Sequence, residues 1–218
     1  MQTDFWLERW EQNQIGFHEK EVNDHLINFW GALNILPESK VFVPFCGKSR
    51  DMLWLLAQGY EVLGVELSPI AVKSFFSEND LEPRITNHGD FQRWEAEGVS
   101  IYLGNFFDLN AEDLIDCSAV YDRASLIALP TDMRQRYVDH LRTIAHVISQ
   151  TLLVTLEYDQ SEMQGPPFSV NKNEIYKMFG EGCDVECLLE ENALDKNDHF
   201  IQKGLTCLLE SVYLLNKR

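Results

Sequence analysis

Residues Lys40–Pro69 read KVFVPFCGKSRDMLWLLAQGYEVLGVELSP. The apolar run KVFVP ends in a turn, Pro44–Ser49, that carries Gly47. A helical stretch follows over residues 49–58, and Gly59 closes it. EVLGVE, residues 61–66, is a second short apolar run. Ser68 then stands as an N-cap, with Pro69 at the first helical position. Strand, helix, strand, helix in this order predicts parallel strands joined by crossover helices. Ligands of such sheets sit beyond the carboxyl ends of the strands. The turn after the first strand is therefore where a site is expected.

The same rhythm continues downstream. The helix opened by Ser68 runs to about Asn79. Residues 84–103 hold two strand-like pieces, near 85–93 and 99–103, on either side of Glu97-Gly98. They read as a hairpin-like insertion and a third parallel strand. SAVYD, residues 118–122, is a fourth strand. Residues 131–148 form a helix with Thr131 or Asp132 as N-cap, and LLVTLE, residues 152–157, is a fifth strand. A helix over 171–180 ends at Gly180 and Gly182. Residues 183–190 and 205–215 then read as two strands joined by a polar loop without a helix, which predicts an antiparallel pair.

Upstream, residues 4–12 read as a helix with Trp6 and Trp10 on one face. A second helix is expected from Asn23, its N-cap, to about Ile35, with Leu26, Phe29, Trp30 and Leu33 as its apolar stripe. The expected class is α/β: a doubly wound, mostly parallel sheet with an antiparallel feature at the C-terminal end. No linker or repeat divides residues 1–218, so one domain is expected, with residues 1–36 as an N-terminal helical appendage.

The chain has 218 residues, and 18 Lys plus Arg against 35 Asp plus Glu leave a formal net charge of −17. A surface that acidic repels phosphate backbones and anionic lipid, so nucleic acid and membrane are not expected partners. The opening segment MQTDFWLERWEQN lacks the apolar core of a signal peptide. No apolar run approaches the roughly 20 residues of a membrane span. Five cysteines, an odd number, give no disulfide framework. Reduced thiols and a cytoplasmic location follow as expectations. Cys183 and Cys187 form C-x3-C without a second pair, and they read as small hydrophobes, not as zinc ligands.

Four features bear on chemistry. Gly47-Lys48-Ser49 invites a phosphate-loop reading, but that motif needs a glycine at position 42, which is Phe. Glu66 ends the second strand nineteen residues after Gly47. An acid about 20 residues past the first glycine turn accepts the ribose hydroxyls of an adenosine ligand; position and spacing favour that role over the alternative, a solvated glutamate at a strand end. That spacing does not separate a nicotinamide dinucleotide from S-adenosylmethionine, although no full G-x-G-x-x-G is present. After strand three, Asn105 with Phe106 or Phe107 offers a polar contact and an apolar slot for an adenine ring, or a loop that anchors itself by burying an aromatic. Arg123, just past strand four, suits a carboxylate or a polarisable anion. By pattern alone an ordinary ion pair with a neighbouring acid is its leading role.

FWLERWEQNQIGFH, VFVPFCGKSRDMLWLLAQGYEVLGVELSPIAV, GNFFDL and VYDRASLIALP together resemble the thiopurine S-methyltransferase family in its bacterial form. The resemblance runs in order from about residue 4 to the terminal VYLLNK. It implies a class I S-adenosylmethionine-dependent methyltransferase with a seven-stranded sheet whose last strand is antiparallel. It implies cofactor contacts at Trp10, Phe45, Glu66 and Arg123, with adenine-side contacts at Asn105 and Phe106. Phe17 takes the place of the residue that packs on the acceptor ring, and Arg123 also faces the acceptor. His199 stands where the family carries a basic residue, usually Arg, and Phe45 where relatives often carry Leu. The implied acceptor is a small aromatic or heterocyclic thiol such as a thiopurine, and the implied state is a monomer. Selenium or tellurium compounds are alternative acceptors. A nicotinamide-dependent reductase and a non-catalytic adenosyl-ligand sensor are alternative classes. The chemistry calls for no metal and no covalent nucleophile. His18, next to Phe17, reads either as a base or as a structural histidine; a lone histidine is more often structural, and methyl transfer to an ionised sulfur does not require a base. Residues 4–30 read as a lid, since Trp10 and Phe17 must come from outside the sheet.

Overall fold

The computed structural model describes residues 3–218. In chain order its elements are α1 (Thr3–Glu11), α2 (Asp24–Phe29), β1 (Lys40–Val43), α3 (Asp51–Ala57), β2 (Glu61–Glu66), α4 (Pro69–Glu78), β3 (Arg84–His88), β4 (Phe91–Ala96), β5 (Val99–Leu103), β6 (Cys117–Arg123), α5 (Thr131–Ile144), β7 (Gln150–Glu157), α6 (Lys172–Phe179), β8 (Cys183–Asn192), α7 (Asp198–Gln202) and β9 (Leu209–Lys217).

The described residues form one nine-stranded sheet in the order β3-β4-β5-β2-β1-β6-β7-β9-β8. From β5 to β7 every pairing is parallel. β9 inserts antiparallel between β7 and β8. Those seven strands are the expected set. The count rises to nine because residues 84–96 make two antiparallel strands and not one. Gly89, at φ +55°, turns the chain back within two residues. Glu97 and Gly98, both at positive φ, make the next two-residue turn and carry β4 into β5.

Each strand of the centre buries both faces, so its side chains alternate between two cores. Phe42, Val65, Val120 and Leu153 point to one side, where α5 presents Tyr137, Val138 and Leu141 and α6 presents Ile175 and Met178. Val41, Val43, Ala119 and Tyr121 point to the other, against Met52 and Leu55 of α3, Val72 and Phe75 of α4, and Leu26 of α2.

Three expectations about helices are corrected. The expected 23–35 helix stops at Phe29 and tightens into a 3-10 turn over Trp30–Ala32, where Gly31 weakens helical continuation. α5 starts at Thr131 with Pro130 in the cap position and no side-chain cap bond, and ends at Ile144. The connection between β8 and β9 is not free of helix: a 3-10 turn, Leu194–Lys196, and α7 lie in it. The pair is antiparallel all the same, in register from Cys183↔Lys217 to Asn192↔Leu209.

Candidate active site

The chain turns sharply as β1 ends. Phe45 takes φ +46° and Gly47 φ +53°. For Phe this is an uncommon backbone state, held here by its surroundings. Cys46 N–H donates to Val65 O at 3.0 Å, which lays the turn against β2. The approach is so close that a Cβ on Gly64 would stand 2.6 Å from Cys46 Sγ. On the other side, a Cβ on Gly47 would meet the Trp10 ring at 3.4 Å.

Glu66 is held by the backbone on both sides. Its Oε2 accepts from Gly47 N–H at 2.9 Å, and its Oε1 accepts from Ser68 N–H at 2.7 Å. The carboxylate is buried, and burial pushes its pKa above the usual glutamate range. Each oxygen keeps a second lone pair for an incoming hydroxyl.

Arg123 closes the opposite wall. Its Nε donates to Asp51 Oδ2 at 2.7 Å and its Nη2 to Ser49 Oγ at 3.1 Å. Asp51, at the start of α3, also accepts from Tyr121 O–H at 3.1 Å and from the Asn23 N–H at 2.9 Å. Arg123 is thus in an ion pair, as its pattern indicated. The pair is buried, however, and it borders the cavity. The roles of the Asp51, Ser49 and Tyr121 side chains were not read from the sequence, where SRDM reads only as the opening of a helix and Tyr121 only as a residue of strand four. An acid in a first helical turn is common for dipole reasons alone, so its burial had no local signal.

The third wall belongs to the 3-10 turn Phe106–Asp108. Asn105 Oδ1 accepts from Phe107 N–H at 3.1 Å and so caps that turn. Phe106 is buried against Phe45 and Tyr137, with ring centroids at 5.2 and 5.0 Å. His140 Nε2 lies 3.1 Å from Phe106 O and ties the turn to α5.

The N-terminal segment covers the cavity. Phe17 meets Trp6 and Trp10 edge-on, each at 5.6 Å between centroids. His18 follows, half-buried, beside Lys48 and Arg123. From the far end of the sheet, α7 brings His199 to the rim, its ring 5.6 Å from Phe200.

These walls enclose a cavity of about 740 Å³ at the carboxyl ends of the parallel strands. Trp10, Phe17, Phe45, Glu66, Asn105, Phe106, Arg123 and His199 all border it, so residues spread over 190 positions of sequence meet in one place. Elsewhere, the one group of three metal-capable side chains among the described residues is His25, Glu191 and Glu210. Those side chains are already engaged, His25 with Glu210 at 3.1 Å and Glu191 with Lys196 at 2.9 Å. No helix among the described residues is long and apolar enough to cross a membrane.

Solved structures share this architecture. A S-adenosylmethionine-dependent methyltransferase from Anabaena variabilis superposes with a TM-score of 0.62 at 14% identity, over 99% of this chain and 95% of that one. The Burkholderia thailandensis 1,6-didemethyltoxoflavin-N1-methyltransferase, solved with 1,6-didemethyltoxoflavin and S-adenosylhomocysteine, gives 0.63 at 13% identity, over 99% and 86%. The fold is that of the class I S-adenosylmethionine-dependent methyltransferases.

Sequence comparison carries the assignment further. The family model for thiopurine S-methyltransferase matches residues 1–218. A thiopurine S-methyltransferase of Nitrosospira multiformis is 46% identical over 218 residues, covering 100% of this chain and 99% of the relative. One from Pseudomonas fluorescens strain SBW25 is 48% identical over 218 residues, covering all of both. The chain belongs to the thiopurine S-methyltransferase family and is a S-adenosylmethionine-dependent methyltransferase. The residues present suit that cofactor: a buried carboxylate with lone pairs to spare, a turn whose glycine holds a positive φ, and an aromatic wall.

Proposed function

We propose that the chain transfers the methyl group of S-adenosylmethionine to the sulfur of a small aromatic or heterocyclic thiol within this cavity. The observation that carries the reading is that the aromatic cluster of Trp6, Trp10 and Phe17 and the Arg123 guanidinium border one cavity. A flat, polarisable anion suits such a space. Its ring lies against aromatic faces and its charge against a fixed cation.

When bound, the cofactor supplies a methyl group already activated on a sulfonium. The chain has to place the reactants and keep them dry. Glu66 accepts the ribose hydroxyls, and Asn105 and Phe106 form the adenine side. Trp10, Phe17 and Phe45 surround the cationic centre with weak cation–π attraction and little hydration. Opposite charges that cancel on reaction then gain little from solvent in the ground state. Arg123 steadies the acceptor sulfur as an anion, and His199 borders the acceptor side. Alignment of two reactants in this way is worth about 7–11 kcal/mol as effective molarity.

In this reading residues 1–218 are one domain, and residues 1–36 serve as the lid. The protein acts as a cytoplasmic monomer on a small molecule and not on nucleic acid, in keeping with its formal charge of −17.

Incubation with methyl-labelled S-adenosylmethionine and a panel of acceptors tests the proposal. The panel holds aryl thiols, thiopurines, selenium and tellurium acids, and amines of matched shape. The expected result is label on sulfur for aryl and heterocyclic thiols, with one S-adenosylhomocysteine formed per transfer. Label confined to selenium, tellurium or nitrogen would reject the thiol assignment while leaving the methyltransferase class intact.

A further inference from the structure

We propose that His18 is the proton acceptor for acceptors that arrive as neutral thiols, a role that rests on the thiol reading above. A thiol must lose its proton before its sulfur becomes a strong nucleophile, and several groups around the cavity are candidates to take it. Both oxygens of Asp51 are engaged, by Asn23 N–H on one and by Tyr121 and Arg123 on the other. Glu66 is held between two backbone N–H groups on the cofactor side. Glu210 is paired with His25. Glu19 borders the cavity but is exposed to solvent. His199 is exposed at the rim beside Phe200.

His18 differs from all of these. It is half-buried, it borders the cavity next to Phe17, and its ring makes no hydrogen bond among the described residues. The Ile15–His18 turn, closed by His18 N–H donating to Ile15 O at 2.8 Å, fixes where the ring stands. Burial first, and then Lys48, Arg123 and Arg50, hold its pKa below the usual 6.5, against an opposing pull from Glu78. The ring is therefore neutral at pH 7 and able to accept a proton. The same cations favour the thiolate left behind, which Arg123 steadies.

The step balances. The acceptor S–H proton passes to an imidazole nitrogen of His18, and the electron pair of that bond stays on sulfur. The sulfur then forms a bond to the methyl carbon. The old carbon–sulfonium bond breaks with its pair going to the departing sulfur, which gives the methyl thioether, S-adenosylhomocysteine and a proton released from His18 to water.

Two acceptors separate this role from packing. One is an aryl thiol with a nitro substituent, ionised across the assay range. The other is a thiol that is protonated there. For His18→Gln, kcat/KM is expected to fall about 100-fold on the protonated thiol, at least ten times more than on the ionised one. Raising the pH should narrow the gap. The variant His18→Ala should regain activity on the protonated thiol when free imidazole is added. A second readout needs no turnover: the ultraviolet thiolate band of an aryl thiol bound together with S-adenosylhomocysteine. His18→Gln should move that titration upward by about one pH unit, a tenfold change in ionisation. Equal losses on the two acceptors, or an unmoved titration, would overturn the role and leave His18 a packing residue. Wild-type protein that methylates no thiol at all would instead reject the thiol reading itself, and this role with it.

Discussion

Arg123 and Asp51 form a buried ion pair, Nε to Oδ2 at 2.7 Å, in which the acid is 1% exposed and the guanidinium keeps one edge toward the cavity. The pair serves two purposes at once. Asp51 aims the fork of Arg123, and through the Asn23 N–H it also ties the start of α2 to the site. Arg123→Ala leaves a buried carboxylate without its cation. Breaking such a pair costs about 3–5 kcal/mol, which for a chain of this size lowers Tm by roughly 6–20 °C. Arg123→Lys keeps charge but not the fork and should fall between. Activity should fall in the same order. Thermal melts and kcat/KM on both variants check this. Full stability with lost activity would mean that Asp51 is satisfied without Arg123.

Glu66→Gln keeps the shape of the side chain but removes its charge. Charge-assisted hydrogen bonds contribute about 1.5–3 kcal/mol, so affinity for S-adenosylhomocysteine should drop at least tenfold by calorimetry. Wild-type affinity should also weaken as pH falls, beginning above the ordinary glutamate value of 4.5, because burial raises the Glu66 pKa. The sign for folding is opposite. A folded-state pKa above the unfolded one means that the native state binds the proton more tightly. Glu66 then opposes folding above its folded pKa, and this opposition fades as pH falls through it. An affinity flat across this range would contradict the ribose role.

Gly64→Ala sets a methyl group against Cys46 in a packed strand centre. Overpacking of this kind costs about 1–3 kcal/mol. Cys46→Ala removes the sulfur that the methyl meets, so the double variant should be more stable than Gly64→Ala alone. Since Cys46 N–H is bonded to Val65 O, the single variant should also displace the turn that holds Glu66 and weaken S-adenosylhomocysteine binding. Chemical denaturation of the three variants gives the coupling directly.

The regular part of the fold was legible because local signals agreed. In Lys40–Pro69 the apolar runs, the Gly59 stop and the Ser68-Pro69 start all point the same way, and Ser68 Oγ does accept from Ala71 N–H. The 84–96 hairpin was blurred because Ile85 is exposed and its own strand, β3, lies at the sheet edge, so burial gave no alternation to read. α7 escaped because its five residues bury nothing. At the cavity, the residues marked by strand ends and glycine spacing lie on its border, as do Trp10, Phe17 and His199, which the family likeness supplied. The roles of Asp51, Ser49 and Tyr121 were not legible, because their partners lie 28 to 74 positions away in the chain.

Deletion of residues 1–20 removes α1 and Phe17 but spares Asn23 and every strand. The truncated chain should keep its far-ultraviolet spectrum and a cooperative melt. It should lose methyl transfer and bind S-adenosylhomocysteine more weakly, since Trp10 no longer covers Gly47. Full activity after truncation would reduce the N-terminal segment to packing.

The most direct test is a crystal structure with S-adenosylhomocysteine and an aromatic thiol bound together. The ribose hydroxyls should lie within hydrogen-bond distance of Glu66 and the adenine beside Asn105 and Phe106. The acceptor ring should lie against Phe17, its sulfur facing the cofactor sulfur with Arg123 alongside. A ribose away from Glu66, or an acceptor bound outside the cavity beneath Trp10 and Phe17, would contradict the account.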